Sequence, residues 1–198
     1  MTIDPPLDPL VAIGDSFYIG TGIVCEFRVR NSQATGNLPN RQLPEGIAML
    51  PFKRILCPTD FSEPACKAIV TAGEMAQTFD AELILMHVVG AIPVLDTPAG
   101  VAGFDVSAYQ RELTDSAERS LQERLERVPE GVNARTLVVH GEAAHEIVRV
   151  ANEEGADLIV LSTHGETGWR HRIFGSVTEK VIRHAECPVM TVHIDAQA

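Results

Sequence analysis

The feature that most constrains the fold is a regular alternation of strand and helix patterns between Phe52 and Ile194. The segment from Glu82 to Val89, ELILMHVV, is almost continuously apolar, which is typical of a strand buried on both faces of a parallel sheet. Shorter apolar runs alternate with helical patterns around it. We expect strands at 53–58, 82–89, 134–139, 157–161 and 189–193, and helices at 63–79, 107–127, 143–154 and 176–185.

This order of elements predicts the fold class. Successive parallel strands joined through helices require right-handed crossovers, which place helices on both faces of the sheet. We therefore predict an α/β fold over residues 52–194, a doubly wound five-stranded parallel sheet, followed by a short tail at 195–198. The segment 90–104, which carries two prolines and three glycines, is expected to be a long mobile loop.

Residues 1–51 differ from the rest, because Pro, Gly and Asn punctuate them and no helical period is present. Apolar and charged residues alternate over 25–30, which predicts a strand, and Gly20-Thr21-Gly22 predicts a turn back to an earlier strand. We expect this N-terminal segment to be loosely ordered or ancillary, with 31–46 as a flexible linker. A start of translation at Met49 is a further hypothesis, which the intact mass of the natively expressed protein would test.

Composition and charge exclude several classes of partner. A formal net charge of -11 at pH 7 argues against nucleic acid and anionic membranes, which attract basic surfaces. The four cysteines show no CxxC spacing, which is typical of a reducing cytosol. No apolar stretch approaches the roughly 20 residues that span a bilayer, and the N-terminus, with Asp4 and no early basic residue, is unlike a signal peptide. We expect a cytoplasmic protein that binds neither nucleic acid nor membrane.

An anion site is predicted where the apolar run at 157–161 stops and a glycine-bearing loop leads through Gly175 to a helix at Ser176. Such a step leaves free backbone N–H groups at a helix N-terminus, which commonly bind phosphate. The first strand ends before Asp60, and the first and fourth strands are the expected neighbours at the point where the strand order reverses. Asp60 could accept from ribose hydroxyls or help to hold a divalent cation. Alternatively, it forms an Asx turn before the helix.

The loop can be aligned with a phosphate-binding pattern in two registers. A Gly-x-x-Gly begins at Gly165, but only six residues then separate it from Gly175. The other register starts at Ser162 and gives Ser-x-x-Gly, nine residues, and Gly175-Ser176. In this register Ser176 offers both its N–H and its hydroxyl to a phosphate. Alternatively, the sequence 176–179 is a capping box that starts the helix without any ligand.

Five short motifs follow one another in the regular part of the chain: Pro58-Thr59-Asp60-Phe61-Ser62, Leu85-Met86-His87-Val88-Val89, Ser162-Thr163-His164-Gly165, Gly175-Ser176-Val177-Thr178-Glu179 and Cys187-Pro188-Val189. Together they resemble the universal stress protein family over roughly residues 52–194. The resemblance implies a five-stranded α/β fold with strand order 3-2-1-4-5 and homodimers that pair through the last strand. In one branch of the family it also implies ATP, bound by a Gly-x-x-Gly-x9-Gly-Ser/Thr loop.

The resemblance implies a nucleotide pocket in this sequence. Asp60 resembles the residue near ribose and metal, Val88 the backbone contact to adenine, and Gly165 one of the phosphate and ribose contacts. The implied cofactor is ATP with Mg²⁺ or Mn²⁺, with Asp60 as the candidate metal ligand. Ser162 departs from the family motif, whose first position is glycine, but a small serine is tolerated unless φ must be positive. The implied cofactor-binding residues are Pro58, Thr59, Asp60, Val88, Leu161, Ser162, Thr163, His164, Gly165, Gly175, Ser176, Val177 and Thr178.

The remaining candidate residues indicate no second chemistry. The seven histidines show no metal-ligand spacing, and His87, inside an apolar strand, is expected to be a core or pocket-edge residue. The basic and aromatic residues 169–172 either touch terminal phosphates or form an exposed loop. Ser62 and Ser176 have no His–Asp pair recognisable from the sequence, so nucleophilic catalysis is not predicted.

These features favour a nucleotide-binding regulatory protein of the stress response over an enzyme. Two alternatives stay open: a dimeric interaction module without nucleotide, and a slow ATPase, for which neither an evident base nor a Walker-type lysine is present. The last strand, within 188–194, is predicted to end the sheet at an exposed edge. Exposed edges pair readily with a second copy, so we expect a homodimer through this strand.

Overall fold

The computed structural model describes residues 51–90, 105–163 and 175–192, together with the backbone of three N-terminal strands. The predictions made for the linker at 31–46, for most of the loop at 90–104 and for the tail lie outside the described residues. So do His164, Gly165 and the cluster at 169–172. Among the described residues, no helix has the length and apolar character that crossing a bilayer requires.

The described elements agree with the predicted order of strands and helices over the regular part of the chain. The strands are β1 (Val11–Ile13), β2 (Ser16–Ile19), β3 (Ile23–Glu26), β4 (Arg54–Pro58), β5 (Glu82–Val89), β6 (Ala134–His140), β7 (Leu158–Ser162) and β8 (Val189–Val192). The helices are α1 (Glu63–Phe79), α2 (Val106–Leu125), α3 (Ala143–Glu153) and α4 (Ser176–His184).

All eight described strands belong to one sheet, in the order β1-β2-β3-β8-β7-β4-β5-β6. The five strands from β4 onward are parallel to one another. Numbered among themselves, they have the order 3-2-1-4-5, so the predicted fold class and strand order are confirmed. The order reverses between β4 and β7, which leaves a crevice at the carboxyl ends of these two strands.

The N-terminal strands correct one expectation. The strands β2 and β3 on either side of the turn predicted at residues 20–22 pair antiparallel, while the turn itself lies outside the described residues. However, β3 also pairs antiparallel with β8. This pairing covers the whole length of β8, from Val189 to Val192. The prediction that the last strand is an exposed edge was therefore wrong, since β8 has a neighbour on both sides. The homodimer inferred from that edge, and the ancillary role of residues 1–51, stay predictions.

Two hydrophobic clusters lie on opposite faces of the sheet. Side chains of a strand alternate between the faces, so Ile55 and Cys57 of β4 pack towards α1 and α2, while Leu56 packs towards α3 and α4. On the first face Ile69 is fully buried, and on the second face Val181 is. The helices thus cover both faces, as a doubly wound fold requires, and the strands become rigid supports for the loops at their carboxyl ends.

Candidate functional site

A cavity of about 320 Å³ opens at the carboxyl ends of β4, β5 and β7. It lies at the reversal of strand order, where ligands bind in open α/β sheets, and its volume is at the lower end of the range for small-molecule pockets. The residues that line it are Pro58, Thr59, Asp60, Ala65, Met86, His87, Val88, Ala143, Ile147, Leu161, Ser162, Gly175, Ser176, Val177 and Thr178.

The turn after β4 orients Asp60 at the cavity. Ser62 donates to Asp60 Oδ1 from its backbone N–H at 3.1 Å and from its hydroxyl at 2.6 Å. Ser62 is also the N-cap of α1, because its Oγ accepts from the N–H of Ala65 at 3.3 Å. The predicted Asx turn is thus present, and the carboxylate still lines the cavity. The two roles assigned to Asp60 are therefore compatible, since the turn holds the carboxylate in a defined direction.

His87 joins the ends of β4 and β5 at the edge of the cavity. Its Nδ1 lies 2.8 Å from the carbonyl oxygen of Thr59. Because a carbonyl oxygen only accepts, Nδ1 carries the proton in this contact. The ring stacks on Phe61 with 4.3 Å between centroids. Phe61 has a φ of 66°, which is rare for a residue with a side chain, and Thr59 Oγ1 accepts its N–H. This interlocked pair keeps the wall rigid.

The N-terminus of α4 lacks the side-chain cap that the other described helices have. Ser62 caps α1, and the side chains of Asp105 and Glu142 cap α2 and α3, whereas Gly175 occupies the N-cap of α4 with no side-chain hydrogen bond. The predicted capping box at 176–179 was therefore wrong: a capping box needs Ser176 at the N-cap, and here it is the first helical residue.

The first turn of α4 lies at the cavity and carries backbone donors that the helix itself leaves without acceptors. The first bond of the helix runs from the N–H of Glu179 to the carbonyl of Gly175 at 3.0 Å. The N–H groups of Ser176, Val177 and Thr178 precede it, so they have no acceptor within the helix. All three residues line the cavity. The positive end of the helix dipole adds to these donors, and the arrangement suits an anion.

Hydrogen bonds hold the start of α4 against the end of β7. The N–H of Gly175 donates to the carbonyl of Thr163 at 2.8 Å, and Thr178 Oγ1 donates to the carbonyl of Ser162 at 3.0 Å. The N–H of Thr163 in turn donates to the carbonyl of Val192. Thr163 is therefore a buried link between these elements. It does not line the cavity, unlike most of the residues predicted for the site.

The structure brings together ten of the thirteen predicted site residues, since His164 and Gly165 lie outside the described ranges and Thr163 lies behind the wall. Ala143 and Ile147, which line the cavity from α3, were not predicted from the sequence. A signal was available, because only Gly141 and Glu142 separate β6 from α3, so α3 must begin at the same edge of the sheet.

Two cysteines of the sheet region, neither of which lines the cavity, are unsuited to catalysis at neutral pH. Burial raises the pKa of the Cys57 thiol to about 12 and that of Cys187 to about 11, so neither forms the thiolate that acts as a nucleophile. Among the described residues, no three His, Cys, Asp or Glu side chains are grouped to hold a metal ion. A divalent cation at this site would thus need ligands beyond Asp60, such as phosphate oxygens.

Comparisons with known proteins agree with this architecture. The model of the universal stress protein family matches residues 51–193. The chain is 36% identical over 141 residues to universal stress protein MJ0531 of Methanocaldococcus jannaschii. This match covers 71% of the present chain and 82% of the relative. It is also 33% identical over 147 residues to universal stress protein YxiE of Bacillus subtilis. That match covers 71% of the present chain and 99% of the relative.

Solved structures show the same fold. The structure of hypothetical protein MJ0577, whose sequence is from Methanocaldococcus jannaschii, has a TM-score of 0.64 and 31% identity, with 73% of this chain and 98% of that chain covered. A universal stress protein in complex with cAMP has a TM-score of 0.54 and 22% identity, with 72% and 97% covered. At that identity the second likeness shows the fold alone.

Proposed function

Since this chain belongs to the universal stress protein family, we propose that it is a regulatory protein that binds ATP, with Mg²⁺ or Mn²⁺, in the cavity at the carboxyl ends of β4, β5 and β7. The observation that carries this proposal is the N-terminus of α4, which has no side-chain cap and whose first three residues line a cavity that Asp60 also lines. A response to stress is the role that the family name suggests. A cytoplasmic location stays a prediction.

The geometry of Gly175 supports a ligand at this helix end. Its φ of −67° is accessible to any residue, and a Cβ built there meets only the carbonyl oxygen of Thr163, at an ordinary 3.6 Å. Nothing in the described chain thus demands a glycine, although Ser, Asn or Asp would cap the helix better. Glycine does allow a phosphate to approach the backbone closely, which a side chain would hinder.

The walls of the cavity suit the other parts of a nucleotide. Apolar side chains, among them Met86, Ile147 and Leu161, belong to the lining of the cavity, and they offer the contacts that an adenine ring needs. Asp60 is the acidic residue of the lining, held by Ser62. When phosphates are bound at α4, this carboxylate supplies one oxygen ligand to a divalent cation, as Mg²⁺ prefers beside phosphates.

We propose binding without catalytic turnover. Among the described residues of the lining, the titratable side chains are Asp60 and His87, and both are engaged, Asp60 with Ser62 and His87 Nδ1 with Thr59. Hydrolysis would need a group that orients a water against the terminal phosphate, and neither of these contacts provides one.

The test begins with the purified full chain, prepared without added nucleotide. Denaturation followed by chromatography should release adenine nucleotide, and calorimetry on the stripped protein should show ATP binding that tightens with Mg²⁺. Gly175→Ala should weaken ATP about tenfold or more, equivalent to about 1.4 kcal/mol, because the added methyl obstructs the phosphate. Its unfolding midpoint should stay close to that of the parent, since the methyl has room in the folded chain.

Asp60→Asn tests the metal separately. The amide oxygen can still accept from Ser62, so the turn is kept while the charge is removed. The ratio of ATP affinities with Mg²⁺ and with chelator should fall towards one, while the metal-free affinity changes little. Absence of released nucleotide together with absence of ATP affinity would contradict the proposal. ATP turnover above a buffer control that Asp60→Asn abolishes would replace it with an ATPase.

A further inference from the structure

The β8 strand has a neighbouring strand along each of its two edges. On one side β8 pairs in parallel with β7, and on the other it pairs antiparallel with β3. The parallel sheet alone would leave that second side open. Beyond β3 the sheet continues only through β2 and the three-residue β1 among the described strands. The N-terminal strands therefore occupy the position where a second copy was predicted to pair.

The direction of β3 matches that of a second β8. Two identical strands related by a two-fold axis pair antiparallel when they join edge to edge in one sheet. The pairing of β3 with β8 is also antiparallel and covers all four residues of β8. The backbone of β3 thus presents β8 with the same hydrogen-bonding pattern that the β8 of a second copy would present. The edge of β8 that faces away from β7 can pair either with β3 of the same chain or with β8 of a second copy, but not with both at once.

The hydrogen bonds identify which groups of β8 face β3. The carbonyls of Pro188 and Val192 accept from β7 and its following residue Thr163. The N–H and carbonyl of a strand residue point to the same side, and alternate residues point to opposite sides. Val189 and Thr191 therefore direct their backbone groups at β3.

Without β3, β8 would be an unprotected edge strand that pairs readily with another chain. Its sequence, Val-Met-Thr-Val, contains neither a charge nor a proline, which are the devices that keep exposed edges from pairing. All four of its residues are buried. A chain in which β3 leaves β8 would therefore expose an unpaired, mainly apolar strand.

We propose that residues 11–26 are a built-in competitor for the β8 edge, which keep the full chain from pairing through β8 with a second copy of itself. Removal of this segment opens the edge and lets two copies join through their β8 strands. A chain that starts at Met49 lacks the competitor altogether. This assembly switch is independent of whether the cavity binds a nucleotide.

The chain 49–198 is a suitable test molecule, because it contains the whole parallel domain. Among the residues whose burial is described, it holds every member of both hydrophobic clusters. The matched part of the chain also accounts for nearly the whole length of YxiE and of the solved MJ0577, so proteins of that length form this fold.

The first experiment measures mass by light scattering after size exclusion, at one protein concentration for all samples. The full chain should have the mass of one copy, and 49–198 the mass of two. In the full chain, Val24→Pro should also produce two copies, since Val24 lies opposite Thr191 and proline removes the N–H that β3 directs at it. The matched control Val24→Ala keeps that N–H and should stay at one copy.

Two further measurements locate the contact. The amides of Val189 and Thr191 should be protected from hydrogen exchange in the full chain and in dimeric 49–198. Cys25 lies directly opposite Met190 in a pair that does not exchange hydrogen bonds, where Cα atoms are about 4.5 Å apart, within the range of a disulfide. Oxidation of full-chain Met190→Cys should therefore give an intrachain bond to Cys25, absent when Cys25→Ser is added.

Several outcomes would overturn the proposal. A full chain with the mass of two copies, or a disulfide that joins Cys25 of one copy to position 190 of another, would show that β3 does not compete within its own chain. A 49–198 chain that stays at one copy, with fast exchange at Val189 and Thr191, would show that the open edge does not recruit a second copy.

Discussion

Ser162 and Gly175 lie at the two ends of the loop between β7 and α4, and neither is required by the backbone to be small. The described non-glycine residues with positive φ are Phe61 and Asp80, so Ser162 has an ordinary conformation. The departure from the family motif at Ser162 therefore costs no backbone strain. An ordinary φ at this position is the condition under which a serine is tolerated in place of glycine. Gly175 is likewise unstrained, and the proposed phosphate gives a reason for its missing side chain.

The substitution Ser162→Gly restores the glycine of the family motif. We expect ATP affinity to change by less than about threefold, because the backbone already has an ordinary φ and its carbonyl contact with Thr178 Oγ1 is unaffected. Calorimetry beside Gly175→Ala makes the comparison. A gain of tenfold or more would mean that the serine side chain obstructs the nucleotide and that the chain has lost part of the family's site.

At the scale of elements, α1 contains a glycine that its neighbours demand. Gly73 lies in the middle of the helix, where glycine costs about 1 kcal/mol relative to alanine. A Cβ at this position would lie 2.7 Å from Pro129 Cδ and 3.5 Å from Val128 Cγ1. The segment after α2 thus packs directly on the backbone of α1. Close approach of two elements explains a residue that helix propensity alone disfavours.

We therefore predict that Gly73→Ala destabilises the protein by about 1–3 kcal/mol, the usual cost of overpacking, although alanine is the better helix former. Urea unfolding measures the change. Gly90→Ala is the matched control, because a Cβ there meets nothing within 4 Å, and it should change the unfolding free energy by less than about 0.5 kcal/mol. A more stable Gly73→Ala would show that the segment after α2 yields without cost.

At the scale of the whole molecule, the two ends of the sheet have different chemistry. The carboxyl ends form the cavity, whereas the amino ends are tied together by charge. Glu82 of β5 accepts from Arg54 of β4 at 2.8 Å and from Arg135 of β6 at 2.7 Å, and Arg135 also bonds Glu154 at 2.6 Å. The side chain of Glu82 is 23% exposed, so water screens these bonds only in part.

This network predicts a dependence of stability on pH. The hydrogen bonds from Arg135 and then Arg54 hold the pKa of Glu82 below its ordinary value of 4.5. A lowered folded pKa means that the contribution is complete above 4.5 and is lost as the pH falls through the folded pKa. Glu82→Gln should therefore cost about 1 kcal/mol at neutral pH, and the difference should shrink in acid.

Urea unfolding of both proteins from neutral to acid pH checks this prediction. The control is Glu179→Gln, which removes a pair with Arg183 whose partners are 56% and 64% exposed, and which should change stability little at any pH. A difference between Glu82→Gln and the parent that is constant across the range would contradict the assigned role, because an uncharged contact would then account for the stabilisation.

The sequence by itself determined the parallel domain and the edge at which its site lies. Strands such as Glu82–Val89 carry an uninterrupted apolar signal, helices carry a 3.6-residue period, and their alternation admits few topologies. Motif order then placed Asp60, Ser162 and Gly175 at the carboxyl ends of neighbouring strands. These are local properties or consequences of chain order, so they can be derived without coordinates.

Only the tertiary structure decided which partners the backbone donors and acceptors have at helix ends and strand edges. Whether Ser176 caps α4 depends on where the helix begins, and the structure gives that position to Gly175. Whether β8 is an edge depends on which strand lies beside it, and a four-residue strand such as β3 carries no local signal of its partner. Backbone donors and acceptors are alike in every strand, so the choice of partner is made by the assembled fold.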